Sequence, residues 1–231
     1  MDSVIVITAR TASGLEETKR MIEASAKDVE VIAETLDHST ASYHDYERLL
    51  SRAAKHIADP EEAVLVHNAA TRGDLSKYAA SYDDAQMIGD YFRLNLTSIM
   101  LLTSSFLKRY GTDTETTRTV IVNVTSIAGR TAFPGVGLYS SGKAAREMYL
   151  NVLAVENPTV KVLHYHPGIV KTAMHAAAVE NAVPELQAIA RDFDATAVTT
   201  EATAAILVDV LRNREFQSGT YVDYSERAAA P

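Results

Sequence analysis

Residues 119–143 read TVIVNVTSIAGRTAFPGVGLYSSGK. The first seven, Thr119–Thr125, are almost all β-branched, with no polar alternation to mark a solvent face. A short strand of that kind is buried on both faces. Ser126 ends it, Pro134 and Gly135 break the chain, and a helical pattern follows over Leu138–Val155. The same strand–turn–helix phrase recurs on both sides. Val4–Thr8, Val29–Thr35, Ala63–His67, Val160–Tyr165 and Gly219–Tyr224 read as further strands. Gly14–Ala26, Tyr43–Ala58, the long stretch Tyr82–Tyr110 and Thr200–Asn213 read as helices. Short apolar strands alternating with helices predict an α/β fold, a Rossmann-like doubly wound parallel sheet in three α/β/α layers. No repeat or linker interrupts the pattern, so residues 1–231 read as a single domain with a flexible tail at Ser225–Pro231.

Composition narrows the class. The chain has 231 residues, 22 basic and 30 acidic, for a net charge of −8. The 47% hydrophobic fraction excludes a disordered chain, and the acidic balance argues against a nucleic-acid partner. No apolar run reaches the roughly 20 residues of a membrane span, and the N-terminus lacks a signal-peptide pattern. With no cysteine, disulfides and thiolate chemistry are excluded, which suits a cytoplasmic protein. Glycine is scarce: there are 10, where average usage would give roughly 16.

Chemistry concentrates in the quoted stretch. Tyr139 and Lys143 are four residues apart and share a helix face. A lysine ammonium beside a phenol favours the phenolate, which fits a tyrosine to act as general acid toward a developing alkoxide. Ser126 lies at the carboxyl end of its strand, where open α/β sheets bind ligands, and its hydroxyl can address the same oxygen. A Tyr/Lys pair alone matches many exposed helices; the strand-end serine thirteen residues upstream makes the constellation specific.

These residues, with Asn95 and the segment His67-Asn-Ala-Ala70, resemble the active-site set of the short-chain dehydrogenases/reductases. The stretches 67–78 (HNAATRGDLSKY), 93–108 (RLNLTSIMLLTSSFLK), 139–148 (YSSGKAAREM) and 216–224 (FQSGTYVDY) are similar to the sepiapterin reductase branch, with benzil reductases next. The resemblance implies an NADP(H)-dependent, homodimeric reductase of a small carbonyl substrate, a pterin side-chain ketone or a dicarbonyl. It assigns Ser126 to orienting the carbonyl, Tyr139 to protonating it, Lys143 to the nicotinamide ribose, and Asn95, at a helix irregularity, to a proton-relay water. Asn68, Ala69 and Ala70 fall to the cofactor. So do Val170, Lys171, Thr172, Ala173, Met174 and His175, in a segment that closes over the nicotinamide. Ile127, Gly168 and Asp223 fall to the substrate, Asp223 as the anchor of a pterin ring. His67, Ala70, His166 and Lys171 depart from the family pattern.

The first forty residues lack the glycine-rich loop of such proteins. In TARTASGL (8–15), Ala9, Ser13 and Leu15 would stand where three glycines cradle a pyrophosphate. A second registration needs no gap: it sets this segment on the family's second strand and helix and Asp37 on the adenine-contacting aspartate. The chain then lacks the first βα unit, about thirty residues, either as an incomplete N-terminus or as a fold closed around the gap. Arg10 becomes a 2′-phosphate ligand selecting NADP(H), with Thr11 and His38 beside the nucleotide; otherwise Arg10 is a solvated strand-end arginine. An alternative to catalysis is a binding or oligomerisation module with impaired cofactor affinity; a further one is a benzil-type diketone reductase. His164 and His166 share a strand face, but no third ligand is suitably spaced, so no metal site is expected.

Overall fold

A computed structural model of the chain describes residues 3–57, 59–111, 117–214 and 216–229. Its strands are β1 (Ser3–Ala9), β2 (Val29–Thr35), β3 (Glu62–His67), β4 (Arg118–Val124), β5 (Val160–His166) and β6 (Thr220–Asp223). Its helices are α1 (Ala12–Ser25), α2 (Tyr43–Ala53), α3 (Ala85–Phe92), α4 (Ser98–Tyr110), α5 (Gly137–Glu156), α6 (Ala173–Asn181), α7 (Pro184–Asp192), α8 (Thr200–Asn213) and α9 (Tyr224–Ala228). This is the expected parallel sheet with flanking helices. The strands divide into two sets: β1–β2, and a four-stranded set in the order β3–β4–β5–β6. Among the described residues the two sets share no strand pairing.

The chain forms two compact units. In the first, residues 1–63 and 97–119, β1 pairs with β2 in parallel from Ser3↔Val29 to Ala9↔Thr35. Leu15, Val31, Tyr46, Leu49, Leu50 and Phe106 are buried there. α2 starts at a capping box, in which Ser42 and Asp45 satisfy each other's backbone N–H groups. It ends at Ala53, short of the expected Ala58, which lies outside the described residues.

In the second unit, residues 64–96 and 120–231, both faces of β4 and β5 are covered. Val120 and Val122 of β4 and Leu163 and Tyr165 of β5 pack against Ile206, Leu207 and Val210 of α8. The alternate residues Asn123 and His164 turn toward α5, where His164 Nε2 lies 3.0 Å from Asn151 Oδ1. That period of two is why the strand carries no polar face: each side meets a helix. β6 adds in parallel to β5, from Leu163↔Thr220 to His166↔Asp223.

Three expectations change. The stretch Tyr82–Tyr110 is not one helix: Asp84 caps α3 by accepting from Gln86 and Met87 N–H groups, and a π-helical turn, Arg93–Thr97, separates α3 from α4. The segment after Val170 contains α6, whose four alanines leave no clear apolar stripe, and α7, which buries Leu186 and Ala190 one turn apart. Ser225–Pro231, expected as a tail, begins instead within α9, because the Asp223 carboxylate accepts the Ser225 N–H and hydroxyl and nucleates a turn. Residues 230–231 lie outside the described residues.

Gly142 sets the approach of α5 to α3: a Cβ there would lie 2.5 Å from Tyr91 Oη and 2.8 Å from its ring. Tyr91 is itself buried and cannot swing away. Gly142→Ala is therefore expected to destabilise the fold by about 1–3 kcal/mol in urea unfolding, although alanine is the better helix former.

Candidate active site

Ser126 follows β4 and caps a 3₁₀ turn, Ile127–Gly129, its Oγ accepting the Ala128 N–H at 3.2 Å. The turn lies against α5, where Gly129 Cα approaches so closely that a Cβ would sit 3.1 Å from Lys143 Cβ. α5 turns Tyr139, Gly142, Lys143, Arg146, Glu147, Leu150 and Leu153 inward, one continuous face at helical spacing. Lys143 is only 5% exposed; its Nζ donates to the Val124 carbonyl at 2.7 Å and lies 5.6 Å from the centre of the Tyr139 ring. Burial pushes the Lys143 ammonium well below the usual lysine range, Arg146 and Arg72 push the same way, and Glu147 opposes them. The Arg72 guanidinium lies 5.8 Å from the Tyr139 ring centre. Ser126, Tyr139 and Lys143 are thus brought together around the carboxyl end of β4.

Asn95 lies in the π-helical turn, the irregularity anticipated for it. It is buried, donates through Nδ2 to the Tyr91 carbonyl at 2.9 Å and accepts the Thr71 N–H on Oδ1 at 3.0 Å. It therefore ties α3 to the loop after Asn68–Ala70. Asn68 and Ala69 are exposed and Ala70 half-buried. A π turn is uncommon and concentrates at functional positions.

Gly168 follows β5 with φ +74°, a left-handed conformation that favours glycine, and packs against Tyr224. Val170 bridges to Val198, and the Lys171 N–H donates to the Val198 carbonyl at 3.0 Å. Thr172 caps α6 by accepting the His175 N–H, while Lys171, Ala173 and Met174 are exposed and His175 is buried, 2.6 Å from Asp194 Oδ1. Asp223 accepts from Ser225 on Oδ1, and its Oδ2 lies 3.9 Å from His166 Nε2.

Four nucleotide candidates belong to the first unit. Arg10 is exposed at the end of β1 and Thr11 precedes α1, whose first turn carries no acidic residue and no side-chain cap. Such a helix end, with a guanidinium beside it, suits a phosphate. Asp37 is held below the usual carboxylate range by hydrogen bonds from Ser39 and by the charge of Arg10. His38 is buried with both ring nitrogens engaged, 3.0 Å from Thr8 Oγ1 and from Tyr46 Oη. That places it as a strut between β1 and α2. Among the described residues no three His, Asp or Glu side chains cluster as metal ligands, and no helix is long and apolar enough to cross a membrane.

Sequence reading passed over Arg146 and Glu147. Arg146 is fully buried and donates from Nη2 to the His67 carbonyl at 2.8 Å; burial pulls its pKa down to about 10. Glu147 accepts from the Thr125 hydroxyl and from Arg130 Nε at 2.8 Å. The signal was available: two charges three and four residues after Lys143 fall on the inward face of the same helix.

A strand-end serine and a buried Tyr/Lys pair thus meet at the carboxyl end of a parallel α/β sheet. Residues 1–183 match the short chain dehydrogenase family, and the chain belongs to that family. It is 36% identical to mouse sepiapterin reductase over 228 residues, covering 96% of this chain and 86% of that one. It is 28% identical to the benzil reductase ((S)-benzoin forming) of Bacillus cereus over 170 residues, 70% of this chain and 67% of that one. Its fold is similar to a short chain dehydrogenase of Shigella flexneri 2a strain 301 complexed with NADP, with TM-score 0.77, 21% identity and coverage of 95% and 85%.

His164, fully buried behind the site, is driven down to about 4 by burial. An unfolded histidine protonates near pH 6.5, so on acidification the unfolded chain takes up this proton first. The contribution of His164 to stability is complete above pH 6.5 and is lost as pH falls toward 4. Urea midpoints measured across pH 4–8 are expected to drop in that window, and less so in His164→Asn.

Proposed function

We propose that the chain is an NADPH-dependent carbonyl reductase, reducing a pterin side-chain ketone or a small dicarbonyl, with Tyr139 as general acid. The observation that carries this reading is the buried Lys143 ammonium fixed 5.6 Å from the Tyr139 ring by the Val124 carbonyl, beside the Ser126 turn. The likeness to proteins named sepiapterin reductase gives the substrate class, and the neighbour complexed with NADP supports the cofactor. The residues present fit that cofactor: in the first unit Arg10 and the uncapped start of α1 suit a phosphate, and Asp37 and Thr11 lie near them in sequence and fold. In the second unit Asn68–Ala70, Lys143 and residues 170–175 are assigned to the nicotinamide end.

Bound NADPH supplies the hydride. Ser126 orients the carbonyl through its hydroxyl, and Tyr139 gives its phenolic proton to the developing alkoxide. The Lys143 charge stabilises the phenolate left behind. Asn95, held by Tyr91 and Thr71, positions a water that returns the proton. Gly168 and Asp223 receive the rest of the substrate, with Asp223 Oδ2, which faces His166 Nε2 at 3.9 Å, accepting from a ring N–H. Tyr139→Phe is expected to lower kcat for sepiapterin reduction by at least about 10²-fold with an unchanged circular dichroism spectrum. Turnover equal to the parent's would remove Tyr139 from the chemistry. Fluorescence titration with NADPH tests the cofactor directly, and absence of binding at millimolar concentration would favour a non-catalytic role.

We also infer a homodimer. α5 presents Met148, Val152 and Val155 to solvent at i, i+4 and i+7, the last 80% exposed. An apolar stripe of that spacing is a helix-packing surface. Val152→Glu is expected to convert the dimer to monomer in size-exclusion chromatography with light scattering; a parent chain that is already monomeric would exclude the dimer.

A further inference from the structure

We propose that Glu147 is a positioning residue of this reductase: its carboxylate clamps both ends of the Ser126 turn onto the helix that carries Tyr139 and Lys143. The proposal rests on the reading of the site as a carbonyl reductase. Glu147 is 6% exposed on the inward face of α5, one turn after Lys143 and two after Tyr139. One carboxylate oxygen accepts the hydroxyl of Thr125, the residue before Ser126. The other accepts Nε of Arg130, the residue after the 3₁₀ turn, at 2.8 Å. Two hydrogen bonds from one carboxylate therefore bracket residues 126–129. The Arg130 guanidinium also lies 3.7 Å from the ring centre of Tyr221 in β6, so the clamp reaches the strand that ends at Asp223.

A buried carboxylate is costly unless it is paired and its lone pairs are used. Here it is, and it faces a second need. α5 buries two cations, Lys143 and Arg146, and Glu147 is the acid on that same face. Its charge supports the Lys143 ammonium against burial and against Arg146. Without it the serine turn loses its tether and the lysine gives up its proton more readily. Geometry and charge fail together, and both act on the transition state rather than on substrate binding.

The test is Glu147→Gln in the full chain, which keeps the side-chain volume but not the charge. With NADPH and sepiapterin, kcat is expected to fall about tenfold or more while KM stays within about twofold. The Lys143 side-chain nitrogen, followed by heteronuclear NMR, is expected to titrate at lower pH, and Glu147→Asp to recover part of both effects. An unchanged kcat with an unmoved Lys143 titration would overturn the proposal, as would a stability loss that leaves both intact. If Glu147→Gln fails to fold, Arg130→Met removes one arm of the clamp at a half-exposed residue. A severalfold loss of kcat at constant KM then supports the clamp, and parental kcat overturns it. A parent chain that binds NADPH but does not turn over would sink the reductase reading itself; the Lys143 titration in Glu147→Gln then decides the role of Glu147 alone.

Discussion

The hydrogen bond from Lys143 Nζ to the Val124 carbonyl holds the candidate site together. It ends β4, orients α5 and fixes a cation close to a phenol. Its cost is large: removing an ammonium from water carries a penalty of several kcal/mol even after relaxation. The surroundings offset it through backbone rather than bulk solvent. Lys143 takes the carbonyl of Val124 and Arg146 takes that of His67, each at the carboxyl end of a parallel strand. Strand ends are where such carbonyls lack ladder partners, so the sheet supplies acceptors where the helix brings donors. The site is placed by this complementarity between sheet edge and helix face.

The π turn at Arg93–Thr97 serves the same end by another route. Widening the helix by one residue breaks the regular ladder and frees backbone groups that must find partners. Asn95 supplies them, donating to the Tyr91 carbonyl and accepting from Thr71. A side chain thus repairs the backbone and, in doing so, locks α3 to the loop that follows β3. Tyr91 is part of the same arrangement, since its ring fills the space left by Gly142 on α5.

Much of this was legible in the sequence, for identifiable reasons. All six strands were found within a residue or two, because each is a short run of β-branched and apolar residues between helices or turns. α8 was read to the residue because Thr199 caps its start and its apolar spacing runs to the end. The division of Tyr82–Tyr110 was not legible as a boundary: apolar residues continue from Met87 and Ile88 through Tyr91 and Phe92 to Leu94 and Leu96, so hydrophobicity runs through the π turn without a break. α6 was missed because an alanine-rich segment shows little periodicity, whereas α7, with Pro184 at its start and Leu186 and Ala190 one turn apart, carried a signal that was passed over. α9 was missed because its start depends on one local aspartate cap. Ser126, Tyr139 and Lys143 were legible from spacing on known elements. Arg146 and Glu147 needed the opposite habit, treating a charge on an inward helix face as a partner to something rather than as solvated decoration.

The division of the sheet bears on what this chain's chemistry depends on. Val64 and Val66 of β3 are 42% and 45% exposed, and Ile5 of β1 is 37% exposed, values at odds with β-branched strands of a doubly wound sheet. β3 stands first in the order β3–β4–β5–β6, and β1 and β2 form a pair of their own. A two-stranded parallel pair contributes little stability by itself, so the first unit relies on the burial of Leu15, Tyr46, Leu49 and Leu50. The second unit is different. Ser126, Tyr139, Lys143, Asn95, Arg146 and Glu147 all lie within it, and every hydrogen bond described for them closes inside it. The geometry proposed to handle the proton is therefore built within the second unit. The residues proposed for the phosphates draw on β1, β2 and the start of α1. The residues proposed for the phosphates and those proposed for proton transfer therefore belong to different units of the chain.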